Sequence, residues 1–338
     1  MKNAFKQIPT FVKRTYRGGR LLCGFLGKKD ESDSFYPEDW ISSFTDAKNR
    51  EFEPNEGISR VITENGVSLI TEAVGKNAFG QGRESSGVLI KLLDSAERLG
   101  IQVHPTKEYA RKYFASDYGK TECWYVLGTR DENACVYLGF KEHVTKEYWR
   151  ELFETQNING MLDAMHRFKV KAGDVILVTG GTPHAIGAGC FILEIQEPSD
   201  YTMRAEKVTV AGEILTPDQI HYGVGEKAML ECFDLTTKSE NEIKEKFFLK
   251  PHKGEYGEEL LVTYDDTPCF KLTLTEGGMY TAKEKCFVTV VALSDGGTLT
   301  VEGETEVLKR GDRYFIPCEK SFTLNDARAV ICYPPDIL

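Results

Sequence analysis

The sequence of 338 residues lacks the features of several protein classes. It has no run of 18 apolar residues that could span a membrane, and Pro9 and scattered charges interrupt the apolar stretch that a secretory signal needs. The nine cysteines form no C-x-x-C pair and are odd in number, which is typical of reduced thiols in a cytoplasmic protein. Basic residues number 42 against 52 acidic ones, and the net charge of -10 disfavours nucleic-acid and membrane-surface partners.

What the chain does contain indicates a globular, mainly β protein. Hydrophobic residues make up 41% and charged residues 28%, a balance typical of one large or two ordinary domains. Short apolar runs at even spacing favour a β-sandwich or barrel over alternating β and α units. The predicted strands include Cys123 to Leu127, Cys135 to Leu138, Val175 to Val178 and Phe191 to Ile195. Helices are predicted at Glu38 to Phe44, Lys107 to Ala115, around Tyr148 to Phe153, and at Glu226 to Cys232.

A short internal echo suggests that the β architecture occurs twice. Lys171-Ala-Gly173-Asp174 precedes one apolar run, and Lys309-Arg-Gly311-Asp312 precedes another. In each copy a turn glycine and an aspartate that can bond its own backbone lead into a strand, as in a hairpin of a jelly roll. We therefore predict two cupin-like barrels, a metal-bearing domain over residues 1-235 with helical additions and a second domain over residues 236-338. The chain has no histidine after His252, so the second domain is expected to hold no such metal site.

Four side chains in the first half form a candidate divalent-metal site. Gln102 and His104 are two apart in a predicted strand and therefore leave the same face of a sheet. Glu122 opens the next apolar run, and His184 follows a glycine-rich turn. Two imidazoles, a carboxylate and an amide oxygen are typical of a catalytic site that keeps a position open. The structural alternatives are a core amide at Gln102 and an ion pair of Glu122 with a neighbouring base.

The motifs that carry these residues resemble type I phosphomannose isomerases (mannose-6-phosphate isomerases) of the short bacterial form built from cupin folds. The resemblance extends over residues 17 to 207. Its motifs are Lys91-Leu-Leu-Asp, Gln102-Val-His104-Pro, Gly119-Lys120-Thr-Glu122-Cys-Trp-Tyr, Gly181-Thr-Pro-His184-Ala-Ile-Gly and Leu193-Glu194-Ile-Gln196 with Ser199-Asp200 and Arg204. The resemblance implies that Gln102, His104, Glu122 and His184 hold one zinc ion per chain, and that Lys120, Glu194, Asp200 and Arg204 line a sugar pocket.

The implied reaction is the interconversion of mannose 6-phosphate and fructose 6-phosphate through a cis-enediol. It requires a cation beside the carbonyl oxygen and a base near two adjacent carbons. Either Lys120 or Glu194 could transfer the proton, and the sequence does not choose between them. The planar guanidinium of Arg204 suits a phosphate or an enediolate oxygen.

Three alternatives stay open from the sequence. Val210 stands six positions beyond Arg204, where many relatives carry a basic residue, so the substrate could be another sugar or sugar phosphate. Two histidines and a carboxylate also describe the iron site of a cupin oxygenase, although the amide ligand and Lys120 count against it. A non-catalytic sugar-binding regulator is the third alternative.

Overall fold

The computed structural model describes residues 3–29, 32–47, 55–80 and 85–336, and within these ranges the chain is mainly β, as predicted. The strands of the first half are β1 Phe5–Ile8, β2 Phe11–Val12, β3 Glu38–Ile41, β4 Arg60–Thr63, β5 Gly66–Leu69, β6 Leu89–Asp94, β7 Gln102–Val103, β8 Glu122–Thr129, β9 Cys135–Phe140, β10 Met165–Lys169, β11 Val175–Val178, β12 His184–Ile186, β13 Cys190–Gln196 and β14 Met203–Arg204. Those of the second half are β15 Phe248–Leu249, β16 His252–Lys253, β17 Glu259–Val262, β18 Lys271–Glu276, β19 Met279–Lys283, β20 Val288–Ala292, β21 Thr298–Val301, β22 Glu304–Val307, β23 Arg313–Ile316, β24 Ser321–Asn325 and β25 Arg328–Tyr333.

The helices are short and lie mostly in the first two thirds of the chain. They are α1 Arg20–Phe25, α2 Ile70–Ala73, α3 Lys107–Phe114, α4 Lys146–Glu154, α5 Ile158–Asp163, α6 Pro217–His221, α7 Glu226–Glu231 and α8 Glu240–Phe247, with a 3₁₀ turn at Lys76–Phe79. Both α3 and α4 begin at a threonine, Thr106 and Thr145, whose side chain accepts a hydrogen bond from the backbone three residues on. The predictions of α3, α4 and α7 are confirmed. In the described ranges, no helix combines the length and the apolar character that crossing a bilayer needs.

Four antiparallel sheets build the molecule. A seven-stranded sheet has the strand order β15-β11-β8-β13-β6-β3-β2, and it shares a core cluster with a five-stranded sheet of order β10-β9-β12-β7-β14. A nine-stranded sheet has the order β16-β17-β18-β25-β20-β23-β1-β4-β5, and it shares a core cluster with a four-stranded sheet of order β19-β24-β21-β22. Strand β1 pairs with β23 of the second half, Phe5 opposite Phe315. The division of the chain at residues 235 and 236 stays a prediction.

Alternation along β8 decides which way each side chain points. Cys123 and Tyr125 join the core cluster shared with the nine-stranded sheet, whereas Trp124 and Val126 join the cluster shared with the five-stranded sheet. Because strand side chains alternate, Glu122 lies on the same face as Trp124, toward the five-stranded sheet. The acid thus points into the interior of the first half.

The echo found in the sequence corresponds to the same turn in both halves. The amide of Lys171 donates to the Asp174 carboxylate at 2.9 Å, and the amide of Lys309 donates to Asp312 at 3.1 Å. The glycine within each turn has a positive φ, 94° at Gly173 and 83° at Gly311, which explains the residue type. Each turn leads into its strand, β11 or β23, as predicted.

One element prediction is wrong. The helix predicted for Glu38 to Phe44 is the strand β3, which is buried along its whole length. Its two acids misled the prediction, because both are buried against cations from distant parts of the chain rather than exposed on a helix face. Helix α8 begins after Ser239, which forms a capping box with Glu242.

Candidate metal centre

Three neighbouring strands bring the predicted ligands together. His184 at the start of β12 lies directly opposite Gln102 of β7, and His104 directly follows the last residue of β7. Glu122 opens β8 on the facing sheet and points inward, for the reason given above. The imidazole and carboxylate ligand atoms of His104, Glu122 and His184 all lie within 4.8 Å of one another, and all three residues are buried.

The two imidazoles have their ring protons fixed by backbone carbonyls. His104 Nδ1 lies 2.9 Å from the carbonyl oxygen of Tyr201, and His184 Nδ1 lies 2.9 Å from that of Thr182. Since a carbonyl only accepts, each Nδ1 donates, and in the neutral rings each Nε2 keeps its lone pair. These Nε2 atoms lie 3.1 Å and 3.5 Å from the Glu122 carboxylate oxygens. A hydrogen bond at the far nitrogen is how proteins orient a metal-binding histidine.

The charge state of the cluster also suits a cation. Burial and the adjacent Lys120 ammonium lower the pKa of His104 from 6.5 to about 3, and burial lowers the pKa of His184. Burial alone would raise the pKa of Glu122, but the Lys120 ammonium together with His104 and His184 outweighs burial and holds that pKa well below its usual range. The site therefore offers two neutral imidazoles and one carboxylate at neutral pH, a donor set that zinc accepts.

Lys120 and Gln102 border the three ligand atoms. The Lys120 ammonium donates to Glu122 Oε2 at 2.6 Å and to His104 Nε2 at 2.7 Å. The amide nitrogen of Gln102 lies 3.1 Å from His184 Nε2, so the amide donates here, and a half-turn of the side chain would present its oxygen instead. Gln102 as a ligand stays a prediction.

A cleft leads to this cluster. It encloses about 680 Å³ of space, part of it open to solvent. Five of the eight predicted site residues line it, namely Gln102, Lys120, Glu122, Glu194 and Arg204. Aliphatic side chains of the segment 208–215 form part of its wall.

Beside the cluster, the cleft wall carries a row of buried charges, of which the sequence predicted a role for Glu194 but none for Lys91 or Glu38. Glu194 of β13 and Lys91 of β6 are direct partners across the two strands, with Lys91 Nζ 3.2 Å from the Glu194 carboxylate. Lys91 Nζ also lies 3.8 Å from Glu38, which accepts bonds from Tyr16 and Trp40. The available signal was Lys91 itself, a charged residue inside an otherwise apolar run.

Neighbouring charges shift the pKa values of this row. Burial raises the pKa of Glu194, and the Lys91 ammonium only partly opposes it. Burial lowers the pKa of Lys91, but the carboxylates of Glu194 and Glu38 outweigh burial and raise it. Glu194 is therefore a stronger base than an exposed carboxylate, while Lys91 is held as a cation.

The other two predicted pocket residues lie on or just before β14. Asp200 forms a bidentate ion pair with Arg14, at 3.1 and 3.2 Å. Arg204, opposite Gln102 in the β14–β7 pair, donates from one guanidinium nitrogen to the carbonyls of Thr202 and Gln219. Of the three predicted site residues that do not line the cleft, His104 and His184 lie beside Glu122 and Asp200 pairs with Arg14, and both Glu122 and Arg14 line it.

Residues 15–126 match the family model described as phosphomannose isomerase type I, catalytic domain. The match covers 112 of the 338 residues. The chain is also 38% identical over 153 residues to the mannose-6-phosphate isomerase of Streptococcus mutans, an alignment that covers 41% of this chain and 46% of the relative. It is 39% identical over 130 residues to the mannose-6-phosphate isomerase ManA of Bacillus subtilis, covering 38% and 40%. The alignments thus span less than half the length of these two relatives.

Solved structures share the fold over nearly the whole chain. The mannose 6-phosphate isomerase of Bacillus subtilis superposes with a TM-score of 0.76 at 23% identity, covering 98% of this chain and 99% of the other. A mannose 6-phosphate isomerase solved with zinc bound superposes with a TM-score of 0.75 at 17% identity, covering 99% and 100%. These similarities show that the chain shares the mainly β fold of these structures over nearly its whole length.

Proposed function

We propose that the protein is a zinc-dependent aldose–ketose isomerase that interconverts mannose 6-phosphate and fructose 6-phosphate in the cytoplasm. The observation that carries the proposal is the buried cluster of His104, Glu122 and His184, whose ligand atoms lie within 4.8 Å of one another at the end of a cleft lined by charged residues. The names of the relatives support the substrate, and the nine cysteines, odd in number and without a C-x-x-C pair, support the compartment.

In this proposal the two histidines, Glu122 and Gln102 hold one zinc ion per chain. Zinc acts as a Lewis acid that stabilises negative charge as it develops on the substrate carbonyl oxygen. It would also replace part of the positive charge that Lys120 supplies to Glu122. The set of nitrogen and oxygen donors is typical of catalytic zinc rather than of closed structural zinc.

The proton transfer itself needs a base near C1 and C2 of the sugar. The base takes the proton from C2 of the aldose while O1 gains a proton, which gives the cis-enediol. A proton then returns to C1 as the hydroxyl on C2 loses its own, which gives the ketose. We assign the base to Glu194, because it lines the cleft and its pKa is raised by burial, toward the range in which a carboxylate transfers protons efficiently.

Lys120 and Lys91 then have different tasks. Lys120 contacts Glu122 and His104, so its ammonium is bound within the metal cluster and stabilises charge there. Lys91 stays protonated between two carboxylates, so it suits donation of a hydrogen bond to a sugar oxygen. Arg204 lines the cleft and has donors directed at neutral carbonyls, which suits an anionic group of the substrate.

The deciding experiment supplies zinc-loaded protein with fructose 6-phosphate and, separately, with unphosphorylated fructose. We expect mannose 6-phosphate from the phosphorylated ketose at a rate well above that from free fructose. Conversion of free fructose alone would assign the chain to another sugar. Oxygen consumption with bound iron would support the oxygenase, and binding without conversion would support the regulator.

The ligand set has its own test in His184→Ala. This variant should lose bound zinc and isomerase activity together, because it removes one of the three clustered ligands. His252→Ala is the matched control, since His252 is exposed on β16 in the second half. Zinc content unchanged in His184→Ala would refute the ligand assignment.

A further inference from the structure

The segment of residues 197–202, here called the linking segment, connects β13 to β14 and touches each part of the candidate metal centre. The Glu197 carboxylate accepts from the amide of Thr121 at 3.0 Å, and the Ser199 hydroxyl donates to the carbonyl of Gly119 at 2.6 Å. These two contacts flank Lys120 and precede Glu122. The carbonyl of Tyr201 accepts from His104 Nδ1. One short segment therefore contacts the backbone that carries Lys120 and the ring of His104.

Arg14, which lies far away in the sequence, holds this segment in place. Its guanidinium bonds both carboxylate oxygens of Asp200 in the centre of the segment, and its Nε lies 3.2 Å from Glu38. The side chain is 10% exposed, and that of Asp200 is 3% exposed. Tyr222 adds a second support, because its hydroxyl donates to the Asp200 carbonyl at 2.9 Å and accepts from the Thr202 amide.

We propose that Arg14 is a positioning residue of the isomerase: by fixing Asp200 it fixes the linking segment, and through the Tyr201 carbonyl it keeps His104 in the tautomer that leaves Nε2 free for a metal ion. The proposal rests on the function proposed above, but it concerns a residue outside the ligand set. The guanidinium of Arg14 bonds Asp200 and Glu38 and lies over the ring of Trp40, so its part is to hold other groups.

The physical basis is the fixed fork of the guanidinium group. A bidentate pair sets both the distance and the angle of the carboxylate, whereas a lysine ammonium sets only a distance. Release of Asp200 would let the Tyr201 carbonyl move away from His104, and the ring would then exchange between its two neutral tautomers. Partners that orient metal-binding histidines typically contribute about 10- to 100-fold to metal affinity or activity.

The test compares Arg14→Met and Arg14→Lys with the natural protein. Zinc affinity is measured by competition with a chelator, and the tautomer of His104 is read in the metal-free protein from the ¹⁵N shifts of its ring. Kinetics with mannose 6-phosphate complete the set. The matched control is Arg130→Met, because Arg130 also forms a largely buried pair, with Asp94 at 2.7 Å, away from the cleft.

We expect Arg14→Met to weaken zinc binding by about 10- to 100-fold, to lower kcat more than it changes KM, and to give a mixture of His104 tautomers. Arg14→Lys should fall between it and the natural protein, and Arg130→Met should change none of these. Should Arg14→Met fail to fold, Tyr222→Phe provides the second variant, with smaller shifts in the same directions.

The proposal would be overturned if Arg14→Met folds, binds zinc as tightly as the natural protein does, and keeps His104 entirely in the Nδ1–H tautomer. Equal losses in Arg130→Met would also overturn it, since they would reveal a general effect of removing a buried ion pair. The zinc and tautomer measurements use no sugar, so they judge Arg14 separately from the identity of the substrate. If the zinc and tautomer measurements come out as expected but the natural protein does not convert mannose 6-phosphate, only the proposed function is contradicted.

Discussion

Substitution of Lys120 by methionine tests the electrostatics of the metal cluster. The Lys120 ammonium lies 2.6 Å from Glu122, and the side chains are 5% and 1% exposed. Methionine keeps much of the chain length but removes the charge. In the metal-free protein Glu122 would lose its nearest cation and remain buried.

The magnitude follows from the cost of an unpaired buried charge. Removal of one partner of a buried ion pair destabilises a protein by about 3–5 kcal/mol. Zinc supplies positive charge to the same carboxylate, so the zinc-loaded variant should lose much less stability. The metal-free variant therefore loses more stability than the zinc-loaded variant, and by the thermodynamic cycle this difference equals a gain in zinc-binding free energy. Since about 1.4 kcal/mol corresponds to a factor of ten, zinc should bind the variant up to about 10²- to 10³-fold more tightly. Turnover should nevertheless fall, because the site loses a cation that faces the substrate.

The assay is urea unfolding of metal-free and zinc-loaded protein, together with zinc affinity from chelator competition. Lys207→Met is the matched control, because Lys207 lies at the same distance, 2.6 Å, from Glu226 in an exposed pair. An exposed pair contributes about 0–1 kcal/mol, so this control should change little. Zinc affinity of Lys120→Met equal to or weaker than that of the natural protein would refute the reasoning.

Three further predictions concern the buried charges. Glu194→Gln should retain zinc but lose about 10²- to 10⁴-fold in kcat, with a parallel loss of deuterium exchange from solvent into the sugar, read by proton NMR. Burial raises the pKa of Glu38, but Arg14, Lys91 and the hydrogen bonds from Trp40 and Tyr16 together outweigh burial, and the net pKa lies below 4.5. Glu38 therefore stabilises the fold above pH 4.5 and loses that effect as pH falls through the lowered value. Urea unfolding of Glu38→Gln should therefore depend less on pH in acid, and an unchanged acid slope would contradict this. Asp39→Leu should destabilise the protein by about 3–5 kcal/mol, because Asp39 and Arg313 form a buried ion pair at 2.8 Å. Adding Arg313→Met to the same chain should restore part of this stability. A double variant that is less stable than either single variant would exclude this account.

Much of the site could be predicted because its signals are local. A two-residue spacing in a strand places Gln102 and His104 on one face, whatever the rest of the fold does. The Gly-Asp turns before β11 and β23 also depend on a few adjacent residues, and both have the expected hydrogen bonds. The convergence of β7, β8 and β12 is a tertiary property, for which the sequence offered only the order of the motifs.

The charged wall of the cleft could not be predicted in the same way. Arg14 and Asp200 are 186 positions apart, and neither has a local pattern that marks its partner. Glu38 and Asp39 were interpreted as part of a helix, because two acids before a tryptophan are typical of a helix start. Their burial depends on Arg14, Lys91 and Arg313, which distant segments supply.

The pairing of β1 with β23 has a consequence for how the chain acquires its structure. The partners Phe5 and Phe315 join the two ends of the sequence, so this pairing in the nine-stranded sheet requires one of the largest loop closures available to this chain. During synthesis, β1 can pair with β4 early, whereas its pairing with β23 must wait for nearly all of the polypeptide to leave the ribosome. A deletion at the amino end would therefore remove a pairing partner from the carboxyl-terminal half as well as from the neighbouring strand β4.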